Sequence, residues 1–228
     1  MKMNNWSLPT RFLHIGLVST VTAQLFISLV MAEPDHAGNV LSKAAFTAHE
    51  YVGLTALGIV LLHWIWSSLS HVDGGLTHLF PVFGTARQQL VAEIKGLMRG
   101  KLPKAGKKGG ISGLVHGLGL LAVTGIAITG GFLFVLFPET GEPGALAEVF
   151  AELHEGLAGL VWAYWLGHGG MALLHHFSGQ DLLKKMFSFR DAKYNNDAFH
   201  DQKHELDLRE TELPQTVSMQ NKLLKTKH

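Results

Sequence analysis

Cysteine is absent from all 228 residues. That excludes disulfides, thiolate-bound iron–sulfur clusters, cysteine-ligated zinc and thioether-linked prosthetic groups. Charge is scarce as well: Asp, Glu, Lys and Arg make up 16% of the chain, against about 25% in an ordinary soluble domain. The formal net charge is only +1, and the basic residues lack the aromatic interleaving of a nucleic-acid surface. Strict apolar–polar alternation is missing, which argues against a membrane β-barrel. There is no glycine-rich phosphate loop or dinucleotide fingerprint, and no readable Ser–His–Asp arrangement. His49-Glu50 and His154-Glu155 start like a zinc-protease motif, but no second histidine completes it.

What the chain does hold is apolar sequence in four long runs, at 12–32, 44–69, 111–137 and 145–177. Each covers the roughly 20 residues needed to cross a bilayer, and none contains Lys or Arg. Glycine recurs in the third run, at Gly113, Gly117, Gly119, Gly125, Gly130 and Gly131. Such glycines weaken a soluble helix but suit closely packed membrane helices, and they offer a face for a homodimer. The expected fold is an all-α integral membrane protein. A four-transmembrane-helix bundle covers residues 1–190, and a weakly ordered cytoplasmic tail covers 191–228. The first run also has signal-peptide features, with Lys2 and Arg11 ahead of it and Val30-Met31-Ala32 before Glu33. Its apolar stretch exceeds the about 7–15 residues of a signal core, so it reads as a retained helix.

Charge sets the orientation. Of the 19 Lys and Arg residues, 18 fall at the N-terminus, between runs two and three, or after run four. The other two connections carry Glu33 and Asp35, then Glu139, Glu142 and Glu148, with Lys43 the lone base. The positive-inside rule puts both termini and the middle loop in the cytoplasm. We call the two ends of the bundle the basic end and the acidic end. The middle loop reads as an amphipathic helix from Thr85 to Arg99 and a flexible stretch from Pro103 to Gly110. Pro138 to Gly144 reads as a tight turn, and Asp181 to Phe189 as a surface helix.

Ionisable residues inside membrane spans are costly and usually functional. Of the 14 histidines, His14, His49, His63, His116, His154 and His168 fall within or at the ends of the runs. His154 and His168 are 14 residues apart, which puts them within about 40° of one helix face and about 21 Å apart along it. One lies near each leaflet, and His49 and His63 repeat the separation. Two imidazoles at one height on facing helices make a bis-histidine site for a haem iron. At the acidic end the candidates are His49 and His154. At the basic end they are His168 with either His14 or His63. Gly53, Gly156 and Gly159 offer room for a macrocycle. His116 reads as an interhelical contact, or as a propionate or quinone contact. His36, His71, His78, His200, His204 and His228 read as solvated, and His175 and His176 as interfacial. Trp64, Trp66, Trp162 and Trp165 read as an interfacial belt, with Trp162 also placed to pack on a haem.

Several segments carry a resemblance. They are Arg11-Phe12-Leu13-His14, His49-Glu50-Tyr51-Val52-Gly53, His154-Glu155-Gly156-Leu157, Leu166-Gly167-His168 and Leu173-Leu174-His175-His176-Phe177. The pattern resembles the bacterial cytochrome b561 and nickel–iron hydrogenase cytochrome b family of four-helix di-haem proteins, and also the formate dehydrogenase cytochrome b subunit. The resemblance covers about residues 5–190. It implies two b-type haems, one ligated by His14 and His168 and the other by His49 and His154. Relatives often carry an arginine where this chain has His63, so His63 stands as an alternative basic-end ligand or as a propionate or quinone contact.

The function implied is transmembrane electron transfer between a quinone pool and a redox partner, as the membrane subunit of a respiratory oxidoreductase such as a hydrogenase. The partner expected is a periplasmic redox subunit or a c-type cytochrome. An alternative is a stand-alone superoxide:quinone oxidoreductase of the cytochrome b561 type. A reading from another class is a histidine-based metal or proton transporter, which calls for acids at mid-membrane that the runs lack.

Overall fold

The computed structural model describes residues 6–31, 39–70, 73, 75–101, 110–137, 143–180 and 182–187. Among these residues all regular structure is helical, in the order α1 Leu8–Ile27, α2 Val40–Leu69, α3 Gly75–Leu79, α4 Gly84–Leu97, α5 Gly110–Leu136, α6 Ala145–His175 and α7 Leu182–Phe187. The helices α1, α2, α5 and α6 are long and apolar enough to cross a membrane. The stretches expected as turn or tail at 103–109, 138–142 and 191–228 lie outside the described residues, as do His36, His71, His200, His204 and His228.

Two spans begin four residues before their apolar runs, for local reasons. In α1, Arg11 interrupts the apolar pattern, but Ser7 caps the helix, with Thr10 N donating to Ser7 Oγ at 3.5 Å, and a proline stands in the first turn. Asp73, from the segment after α2, closes that terminus. Its carboxylate accepts from Ser7 N at 3.2 Å, from Thr10 Oγ1 at 2.6 Å and from Ser7 Oγ. An acid there also suits the helix dipole. In α2, the polar pair Ser42-Lys43 hides the start, which Asn39 caps through Ser42 N at 2.9 Å. Arg11 itself is fully buried, and its Nε donates to the Met186 carbonyl of α7 at 3.0 Å. Gly179, at φ 80°, takes the left-handed conformation that ends the wide turn after α6 and brings α7 back toward α1.

The helix α5 is central and packs against α2, α3, α4 and α6. Its glycines explain how. A Cβ at Gly113 would run into the carbonyl oxygen of His78, one at Gly117 into that of Leu79, and one at Gly119 into the ring of Tyr164. Gly113 and Gly117 thus let the backbone of α3 lie directly on α5, the close approach that small residues four apart permit. These glycines, expected to suit a homodimer face, meet partners within the chain. The start of α5 is tied to α4, where Glu93 Oε2 accepts from Ile111 N at 2.8 Å and Gln89 Nε2 donates to Glu93 Oε1 at 2.8 Å.

The tryptophans tie neighbouring helices together. Trp64 Nε1 donates to Thr124 Oγ1 on α5, Trp66 Nε1 to Thr10 Oγ1 on α1, and Trp165 Nε1 to Thr22 Oγ1 on α1, each at 2.9 Å. An indole has one donor and no acceptor, so a hydroxyl on the next helix satisfies it fully. Trp162 packs on Phe26 and Trp165. Large apolar side chains such as Phe12, Leu62, Ile65, Leu160 and Leu166 remain exposed, as a surface facing lipid allows.

Candidate functional site

The helix α6 makes its extensive backbone approach to α5 rather than to α1 or α2. Side chains bridge it to those two helices, and histidines form the bridge at both ends. At the acidic end, His49 of α2 and His154 of α6 face each other with ring centroids 6.1 Å apart. At the basic end, His14 of α1 and His168 of α6 are 6.3 Å apart. The 14-residue spacing therefore does present both α6 histidines toward helices α1 and α2.

The two ends differ in their surroundings. At the acidic end, Gln24 Nε2 donates to the His49 carbonyl at 2.8 Å, binding α1 to α2 at that height. The Gln24 amide lies over Gly53, where a Cβ would come within 2.7 Å of it, so Gly53 is covered by protein. Gly156 and Gly159 do face open space. At the basic end a third imidazole joins the pair. His116 of α5 has its ring 5.2 Å from His168 and 6.5 Å from His14. Ligand atoms of His14, His116 and His168 all lie within 4.8 Å of one another. Tyr164 stacks on His168 at 5.3 Å. His63 is held on its own helix, with Ser67 Oγ 3.2 Å from its Nδ1.

The solvated reading of His78 is overturned. This residue is 7% exposed and sits in α3, with its ring 5.1 Å from Trp6 and 6.0 Å from His116. Its burial depends on the docking of α3 against Gly113 and Gly117, which no local pattern around residue 78 announces. His175 and His176 each have a buried Nδ1 without a hydrogen-bond partner among the described residues. Glu152 and Glu155 are exposed at the acidic end of α6.

These residues fit haem iron. A metal about 2 Å from each of two imidazole nitrogens holds ring centroids roughly 6 Å apart, as both pairs are. The donor set is imidazole alone, a good ligand set for iron. The Nδ1 atoms of His14, His49 and His116 are buried and have no hydrogen-bond partner among the described residues. A buried polar atom left in that state is costly, but His175 and His176 share it, so the fit to iron rests on the facing of the ring pairs.

No curated protein and no solved structure matches the chain significantly. A family model does: the one described as prokaryotic cytochrome b561 matches residues 5–189, a stretch that contains all four spans and every histidine of both clusters. With imidazole pairs at the two ends of a four-span helical chain, the match is to be taken at its full length: the chain belongs to the prokaryotic cytochrome b561 family and is a transmembrane b-type cytochrome that transfers electrons.

Proposed function

We propose that the chain holds two b-type haems, one near each membrane face, and links a quinone pool to a redox partner. The observation that carries this reading is the pair of facing imidazoles at each end, 6.1 Å and 6.3 Å apart by ring centroid. His49 and His154 ligate the haem at the acidic end, and His14 and His168 the one at the basic end. His14 is favoured over His63 because its ring faces that of His168 at 6.3 Å. His116 stands beside the basic-end pair as a propionate or quinone contact.

When bound, the haems supply the one-electron chemistry. The chain supplies the rest. Its α6 sets the separation of the two sites through the 14-residue interval between His154 and His168, about 21 Å along the helix. The apolar faces of α1, α2 and α6 exclude water between the sites and keep electrons from leaking to solvent. The basic end, with α4 and its Arg87 and Lys95, lies in the cytoplasm, so both termini do as well. The acidic end faces the periplasm and meets a periplasmic redox subunit, of hydrogenase type, or a c-type cytochrome.

The test is a dithionite-reduced minus oxidised spectrum of the detergent-purified chain, with a pyridine haemochrome count. A b-type α band with two haems per chain is expected. A folded helical chain without haem would overturn the reading. Quinone reduction that depends on a copurifying subunit supports the partnered role. Superoxide-driven quinone reduction by the isolated chain supports the stand-alone alternative instead.

A further inference from the structure

The two imidazoles of the acidic-end pair are held unequally. Thr129 of α5 is 7% exposed, and its Oγ1 lies 3.0 Å from His154 Nδ1. The same oxygen lies 3.1 Å from the Gly125 carbonyl and 3.0 Å from the Ile126 carbonyl. A hydroxyl has one hydrogen. Both carbonyls are acceptors only, and a helical threonine commonly gives its hydrogen back to its own helix backbone. In that arrangement the oxygen accepts toward His154, and Nδ1 carries the proton. The lone pair of the ring is left on Nε2. The neighbouring Gly130 completes the arrangement. A Cβ there would stand 3.0 Å from His154 Cε1, so the ring rests against the α5 backbone and has little freedom to turn. His49 has no such support, since its Nδ1 is buried without a hydrogen-bond partner among the described residues.

We propose that Thr129 is a positioning residue that holds His154 in the Nδ1–H tautomer, presents Nε2 to the acidic-end haem iron and sets the potential of that haem. This rests on the reading that His49 and His154 share a haem. A hydrogen bond donated from the far nitrogen makes an imidazole a stronger electron donor to its metal. A stronger donor favours ferric over ferrous iron and lowers the reduction potential, through second-shell hydrogen bonding rather than ligand identity. Among the described residues no hydroxyl is hydrogen-bonded to the other three members of the two pairs, so the effect belongs to one haem of the two.

The test compares Thr129→Val, Thr129→Ser and His154→Ala in the full-length, detergent-purified chain, by haem count, potentiometric titration and the low-spin ferric electron paramagnetic resonance signals. Valine keeps the shape of threonine and removes the hydroxyl. Thr129→Val is expected to retain two haems, to shift one midpoint potential upward and to move one low-spin signal. Thr129→Ser is expected to return both toward the native values. The affected signal must be the one that disappears in His154→Ala. Unchanged potentials and signals in Thr129→Val overturn the proposal, as does a shift in the haem that survives His154→Ala. If Thr129→Val loses a haem, recovery of that haem in Thr129→Ser supports positioning by the hydroxyl, and failure to recover it assigns a packing role and overturns it. Two haems retained in His154→Ala sink the underlying ligand reading, an outcome distinct from a null result at Thr129.

Discussion

The acidic end of the bundle holds two imidazoles facing each other, and the basic end holds a cluster. At the acidic end, His49 and His154 meet across a 6.1 Å ring separation, with Thr129 and Gly130 behind one of them. At the basic end, His14, His116 and His168 crowd together, His78 stands behind His116, and Tyr164 lies on His168. In the proposed reading a ligand pair is therefore specified in two ways. Where only two imidazoles meet, helix packing alone selects them. Where three meet, the choice depends on which two can stand on opposite sides of one iron. His116 comes from α5, which packs closely along α6, whereas His14 comes from α1, across the wider interval. The proposed pair His14 and His168 rests on this difference, since the wider interval between α1 and α6 leaves more room for a macrocycle than the close packing of α5 on α6.

The largest effects expected are losses of haem. His154→Ala and His168→Ala should each lower the pyridine haemochrome count from two per chain to one, and the two variants should lose different low-spin signals. Loss of the same signal in both would merge the two ends into one site. The sharper test concerns the surplus imidazoles. His14→Ala should lose the basic-end haem, while His116→Ala and His63→Ala should keep both haems and change at most the potential of one. A haem lost in His116→Ala and kept in His14→Ala reverses the assignment within the cluster.

A smaller effect separates glycines that hold the basic end together from glycines that do not. Gly117→Ala places a Cβ against the Leu79 carbonyl, which is backbone and cannot swing aside. Overpacking of this kind costs about 1–3 kcal/mol, read as a lower Tm in detergent and a disturbed basic-end signal. Gly58→Ala, whose Cβ would meet nothing within 4 Å, should leave the protein unchanged or slightly more stable. Equal Tm losses in the two variants would remove the special role given to α3 docking. Smallest is Asp73→Ala, which removes the acceptor of Ser7 and Thr10 at the start of α1. A lost helix cap costs about 1 kcal/mol, and the Tm should fall modestly with both haems retained.

The sequence alone carried much of this, in places that can be named. The four spans were legible because membrane helices need long, unbroken apolar runs. Their first turns were not, because Arg11 and Ser42-Lys43 interrupt the apolar pattern while the caps Ser7 and Asn39 stand outside it. The α6 pair was legible because both histidines lie on one helix, where spacing converts directly into angle and height. Thr129 gave no such signal. It lies 25 residues from His154 on another helix, and nothing in a lone threonine within an apolar run announces a partner.

Composition and periodicity thus determined the spans, the asymmetry of charge between the ends and the two heights at which imidazoles stand, because these follow from helix geometry and the bilayer. Only the tertiary structure decided which imidazoles meet, that His78 is buried, that the glycines of α5 receive α3 and Tyr164, and that Thr129 Oγ1 stands 3.0 Å from His154 Nδ1. Those contacts join residues on different helices. They depend on how far each backbone can approach its neighbour, a quantity set by packing in three dimensions and not by position along the chain.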